Sequence, residues 1–144
     1  GILTELTYGM AARFGRTSSQ GMRMKEETKR WVRQASSDLR TAKYLFEGRM
    51  YKEASFFCQQ SAEKALKAVL LERTGELIKI HDLVRLGKEL SLDEKLIDDC
   101  ERLSIVYVDS RYPDMGEKEY TRKETTQDIK VAEVILKWAR KNLS

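Results

Sequence analysis

The sequence predicts an all-α fold, an antiparallel four-helix up-and-down bundle with one additional short helix. Three observations carry this expectation. Apolar residues recur with a 3.6-residue period over four long segments. A single proline in 144 residues leaves those segments unbroken. The connections between neighbouring segments are short, which returns successive helices antiparallel.

Residues 1–24 read as an N-terminal arm. Leu3, Leu6, Met10 and Phe14 are spaced for one short amphipathic helix interrupted by Gly9, and Thr17-Ser18-Ser19-Gln20-Gly21 reads as a linker. The arm is either a terminus without tertiary support or an apolar stripe that packs on a neighbouring subunit. Residues 25–144 form the domain. Its first helix is expected over Glu26–Glu47, with a stripe of Trp31, Ala35, Leu39, Ala42, Leu45 and Phe46. Asp38 lies beside that stripe, where it reads first as a solvated helix residue and second as the partner of a buried base. Gly48-Arg49-Met50-Tyr51 then make a tight connection.

Ser55–Glu72 is the central helix. It holds neither Gly nor Pro, and Ala54, Phe57, Cys58, Ser61, Ala62, Ala65, Ala68 and Val69 give it a wide apolar stripe. Phe56, Leu66 and Leu70 widen the stripe further, so this helix, about 27 Å long, is expected to have neighbours on several sides. Its polar residues Gln59, Gln60, Glu63, Lys64 and Lys67 include the i,i+4 pairs Gln60/Lys64 and Glu63/Lys67, the pattern of a solvated, self-paired edge. Gly75 stands at a C-terminal stop position.

A short helix near Asp82–Leu90 follows, with Leu83, Leu86 and Leu90 inward. Ser91-Leu92-Asp93-Glu94 has the S-x-x-E form of a capping box and marks the next helix start. Leu96, Cys100, Leu103, Val106 and Tyr107 give that helix its apolar face, and Pro113 requires it to end by about Ser110–Arg111. Asp114–Lys123 is a charged loop. Thr125 or Thr126 is expected to cap the last helix, which runs to about Asn142 with Ile129, Ala132, Ile135, Leu136 and Ala139 inward.

Composition narrows the functional classes. Hydrophobic residues make up 41% and charged residues 35%, a soluble, helix-rich profile in a chain long enough for one core and too short for two. No apolar run approaches the ~18 residues of a membrane span, and the N-terminus lacks a signal-peptide layout. Cys58 and Cys100 fall on apolar helix faces, as buried thiols in a reducing cytoplasm, and no Cys/His spacing suits a metal. No cofactor is expected. Of 27 basic and 23 acidic residues, Arg13, Arg16, Arg23, Lys25 and Glu5 lie within residues 1–25. The remainder holds 23 basic against 22 acidic residues, a net +1. A broad basic face for duplex DNA is therefore not expected, and any anion site must be local.

Arg111 is the most pointed candidate for chemistry. It stands at a helix end beside Tyr112 and Pro113, where a planar guanidinium suits bidentate phosphate binding; the structural alternative is a capping arginine paired with Asp109 or Asp114. His81, the single histidine, is either an anchor for the short helix or a general acid/base or phosphate ligand. The sequence has no P-loop, no G-x-G-x-x-G and no nucleophile–histidine pair at a recognisable spacing.

The ordered set of F-x-x-Q-Q-x-A-E-K-A-L-K-A-x-L-L from Phe56 to Leu71, H-D-L at His81–Leu83 and R-Y-P at Arg111–Pro113 resembles the HEPN domain family. The preceding tryptophan helix with A-x-x-D-L at Ala35–Leu39 and A-x-x-L at Ala42–Leu45 extends the likeness over residues 26–144. Many HEPN domains are metal-independent ribonucleases through an R-x4-6-H motif at a dimer interface. With Arg111 as the motif's arginine, the histidine would fall at Gly116, Glu117 or Lys118, and none of these is histidine. Without that imidazole no general base serves the ribose 2′-hydroxyl, and ribonuclease activity is not expected. What the resemblance implies instead is a homodimeric toxin–antitoxin-type accessory protein that binds nucleotide and partners a separate minimal nucleotidyltransferase, with no catalysis of its own. On that reading Lys64 and Lys67 offer charge to phosphate, Arg111 clamps it, Tyr107 or Tyr112 stacks a base, and His81 hydrogen-bonds either. A structural dimerisation module and a divergent ribonuclease using His81 and Arg111 are the rival readings.

Overall fold

The computed structural model describes the backbone of residues 18–111 and 119–144, and the side chains of residues 26–106 and 119–144. The described residues form helices α1 (Ser18–Glu47), α2 (Tyr51–Thr74), α3 (Leu83–Glu89), α4 (Glu94–Arg111) and α5 (Arg122–Leu143), with no strand among them. The fold is all-α as expected, four long helices and one short one.

Helix α2 touches each of the other four and is the axis of the bundle. Its width of burial explains this position. Ala54, Cys58, Ala62, Ala65, Leu66, Ala68, Val69 and Leu70 are all buried, which covers more than one face of a helix. Full burial of a leucine such as Leu66 contributes about 1.5–3 kcal/mol. Against α2 stand Ala35, Leu39 and Ala42 of α1, Leu83 and Leu86 of α3, Leu96, Cys100, Leu103 and Val106 of α4, and Ile129, Ala132, Ile135, Leu136 and Ala139 of α5. Trp31, Leu45, Phe46, Phe56 and Phe57 are half-buried at the margins. Small residues line the α1–α2 seam closely enough for the Ser61 hydroxyl on α2 to donate to the Ala35 carbonyl of α1, at 2.7 Å.

The helix ends correct several expectations. Helix α1 begins at Ser18, inside the segment read as a linker. Met22, Met24, Lys25 and Glu26 are good helix formers, and extending an existing helix costs far less than nucleating one. The arm residues 1–17 lie outside the described residues. Helix α2 starts four residues before Ser55 and ends at Thr74, where Gly75 takes the left-handed conformation (φ 75°) and donates to the Leu71 carbonyl, as expected of a C-terminal stop. The cap of α4 is Asp93, whose carboxylate accepts from the Leu96 amide at 2.8 Å, and not Ser91. For α5 it is Thr121, which accepts from the Glu124 amide at 3.1 Å. Thr125 and Thr126 lie inside α5, the Thr125 hydroxyl buried and Thr126 bonded back to the Arg122 carbonyl. Thr121-x-x-Glu124 carries the same capping signature one turn earlier.

Ser91 has another role. Its φ of 56° is left-handed, its amide donates to the Lys88 carbonyl, and the Leu92 amide donates to the Gly87 carbonyl. These two bonds form a Schellman closure of α3 with a serine where glycine is favoured. Ser91→Gly is expected to stabilise the protein by about 0.5–1 kcal/mol, because release of the left-handed strain exceeds the added chain entropy. A rise in the urea midpoint at unchanged slope would register it.

Both cysteines are free and buried. Burial pushes the Cys100 thiol up to about 12, with Asp99 and Asp82 adding to the effect. Burial, then Asp128 and Glu133, raise the Cys58 thiol further still. Neither is a nucleophile at neutral pH. At pH 8 an alkylating reagent is expected to modify both at least roughly 100-fold more slowly in the native protein than in urea, as mass spectrometry of timed aliquots would show.

Candidate functional site

Polar side chains inside an apolar bundle mark where the chain departs from packing alone. The centre of α2 holds such a set. Gln59, Glu63 and Lys67 follow one another at i,i+4, and all three are buried, so the edge expected to be solvated is interior. The Glu63 carboxylate accepts from the Gln59 amide at 3.1 Å, from the Lys67 ammonium at 3.0 Å and from the His81 ring at Nδ1, at 2.9 Å. A carboxylate oxygen can only accept, so Nδ1 carries the hydrogen of that bond. Gln60 extends the chain by donating to the Gln59 side-chain carbonyl at 2.6 Å.

His81 stands just before α3, and its side chain is 54% exposed. It does not cap α3. Asp82 does, accepting from the Val84 and Arg85 amides. The imidazole is instead anchored to the axis of the bundle from the loop after α2.

A second polar group lies one turn away. The Lys64 ammonium pairs with the Asp38 carboxylate of α1, which also accepts from Gln34 at 3.0 Å. Asp38 is therefore the partner of a part-buried base and not a solvated residue, since its side chain is only 5% exposed. Lys64 keeps about a quarter of its surface and lines a concavity of about 260 Å³ with Arg30, Trp31 and Gln34.

Of the residues selected from sequence, the structure thus brings Lys67 and His81 onto one carboxylate and sets Lys64 on Asp38. Both lysines spend their charge on a carboxylate before any ligand arrives. Arg111 ends α4 as expected; the side chains of Tyr107 and Arg111, and the whole of Tyr112, lie outside the described residues. Glu63 and Gln59 are the residues that sequence reasoning missed as organisers of this site. Their signal was the 59-63-67 spacing itself, a polar line at i,i+4 beside the wide apolar stripe.

A third group ties α2, α4 and α5 together. The Ser55 hydroxyl, the Thr125 hydroxyl and the Asp128 carboxylate meet in the interior, at 3.0 Å between the hydroxyls and 2.9 Å from Ser55 to Asp128. Arg102 donates to Asp128 at 3.2 Å from the solvent side. Every member is hydrogen-bonded, the condition for a buried polar cluster to be tolerated. Among the described residues no three His, Cys, Asp or Glu side chains converge as metal ligands, and no helix is long and apolar enough to cross a membrane.

Comparison with known proteins adds a family. The model of the HEPN domain matches residues 28–142. The chain is 29% identical over 126 residues to the "Putative toxin MJ1304" of Methanocaldococcus jannaschii, covering 75% of this chain and 82% of that protein. The crystal structure of TT1696 from Thermus thermophilus is similar with a TM-score of 0.73 and 31% identity, over 80% of this chain and 97% of that one. The crystal structure of ST0689, an archaeal HEPN homologue, is similar with a TM-score of 0.67 and 30% identity, over 81% and 98% of the two chains.

Proposed function

The chain belongs to the HEPN domain family, and on that premise we propose that it is a nucleotide-binding accessory subunit. In this reading it forms a homodimer, partners a separate minimal nucleotidyltransferase and performs no catalysis of its own. The observation that carries the reading is the placement of its single imidazole. The R-x4-6-H motif needs a histidine shortly after Arg111, yet His81 stands ahead of α3, with Nδ1 on the buried Glu63. With Nδ1 donating to Glu63, Nε2 of the neutral ring is an acceptor, so the imidazole serves as a fixed group that receives a hydrogen bond from a hydroxyl or amino group of a nucleotide. Arg111 supplies the phosphate clamp, with Tyr107 or Tyr112 stacking the base. Lys64 acts from the rim beside Trp31, and Lys67 acts from behind by setting Glu63. The archaeal relative's name, "Putative toxin MJ1304", supports a toxin-type role.

Calorimetric titration with ATP, GTP and a short single-stranded RNA tests this. Saturable nucleotide binding that weakens at least tenfold in Arg111→Ala is expected; a loss of that size corresponds to one charge-assisted phosphate contact. No heat with any ligand would favour the structural dimerisation module instead. One observation favours a second reading: the Glu63–His81 pair is also how a general base is oriented. Cleavage of RNA in the presence of EDTA, abolished by His81→Ala, would establish that ribonuclease reading and remove the accessory one.

A further inference from the structure

The near-neutral charge of the domain conceals a local asymmetry along the groove between α1 and α5. Two adjoining concavities lie there, about 560 Å³ near Thr28 and Leu143 and about 420 Å³ near Leu39 and Leu136, and Arg140 belongs to both. Their walls carry six cations, Lys29, Arg33, Arg40, Lys43, Lys137 and Arg140, against two carboxylates, Glu72 and Glu133.

The partners of these charges decide what the groove can do. Glu72 accepts from the Thr28 hydroxyl at 2.7 Å. Lys43 is paired with Glu133 at 3.2 Å across the groove, and Lys29 with Glu26 at 3.3 Å. Arg140 is steered differently: its guanidinium donates to the neutral Ser36 hydroxyl at 2.8 Å, which fixes its direction and leaves its charge unspent. Arg33, Arg40 and Lys137 form no ion pair among the described residues. Four cations outside any ion pair among the described residues, three of them arginines, therefore stand against one carboxylate held by a neutral partner, Glu72, over an apolar floor of Val32, Leu39, Leu136 and Leu143. On α1 the spacing of Arg33, Arg40 and Tyr44 keeps them on one stripe; Tyr44 lines neither concavity but lies one turn beyond Arg40 on that stripe, and it is the most exposed large apolar side chain among the described residues, at 80%. Lys29 to Tyr44 spans about 22 Å at ~1.5 Å per residue.

We propose that the α1–α5 groove binds a short single strand of nucleic acid, its phosphates on Arg33, Arg40, Lys137 and Arg140 and a base on the Tyr44 ring. A line of unspent guanidinium groups ending in an exposed aromatic ring is the combination by which proteins hold single strands without reading sequence. An acidic peptide would satisfy the cations but has no use for the ring. His81 does not line the groove.

Fluorescence anisotropy of labelled oligouridylates of one, two, four and eight nucleotides tests the proposal, with polyglutamate of matched charge as competitor. Affinity is expected to rise with length up to about four nucleotides, from the span above, and to fall with salt by a log–log slope near −0.7 per phosphate held. The exposed double variant Arg33→Glu/Lys137→Glu is expected to lose at least tenfold, and Tyr44→Ala about five- to tenfold, each with an unchanged circular dichroism spectrum. The Arg33→Glu/Lys137→Glu variant should keep the wild-type calorimetric response to ATP, which separates this groove from the nucleotide site proposed above. Equal competition by polyglutamate, saturation by the mononucleotide alone, or wild-type affinity in the double variant would overturn it.

Discussion

Glu63→Ala is expected to cost about 3–5 kcal/mol, a large fraction of the whole stability of a domain of this size. The reason lies in what the substitution leaves behind. Lys67 is 5% exposed and bonds only to Glu63 among the described residues, so its ammonium would remain in the interior with neither water nor counter-charge. The Gln59 amide would lose its acceptor as well, and His81 would lose its anchor. Lys67→Met should cost less, because Glu63 keeps two donors. The double variant Glu63→Gln/Lys67→Met should recover most of the loss, since it removes both charges and leaves Gln59 and His81 an acceptor oxygen. Urea unfolding of the three variants measures these differences. Equal destabilisation by the single and double changes would mean that the pair contributes by packing alone.

The second large effect is expected at Asp128. Its carboxylate is 5% exposed and holds Ser55 on one oxygen and Arg102 on the other. Asp128→Ala would leave the Ser55 hydroxyl only Thr125, which itself donates to the Tyr51 carbonyl at 3.3 Å, and would release Arg102 from its carboxylate, so it should cost about 2–4 kcal/mol. The figure is lower than for Glu63 because Arg102 is 42% exposed and regains water once released. Asp128→Asn retains an acceptor for Ser55 and should cost roughly half as much.

Helix type was legible wherever the periodicity was long. Every residue expected inward on α5 is buried, as are Leu83, Leu86 and Leu90 around α3. Helix starts were less legible, because capping signatures overlap. Ser91 and Asp93 stand two apart and both can cap, and only the left-handed turn at Ser91 decides between them. Thr121 and Thr125 stand one turn apart on the same sequence of polar residues. The interior of the site was the least legible part. An i,i+4 Glu–Lys pair is written identically whether it faces water or a core, and what buries Glu63 and Lys67 is the arrival of other segments. Asp38 shows the same limit. Its partner Lys64 lies 26 residues away on another helix, and no local pattern announces it. Arg33, Arg40 and Lys137 were invisible as a group because α1 and α5 are distant in sequence.

The close seam between α1 and α2 has a consequence for the order in which the chain assembles. These two helices are adjacent in sequence, joined across Gly48–Met50, and meet through alanines and a serine-to-carbonyl bond. Closing that hairpin needs only a short loop, so it is the least entropically demanding tertiary step available to the chain. Helix α5 must return over about fifty residues to reach α2 and gains its contacts later. Substitutions in the alanine seam should therefore act mainly on the folding rate, and those in α5 mainly on the rate of unfolding.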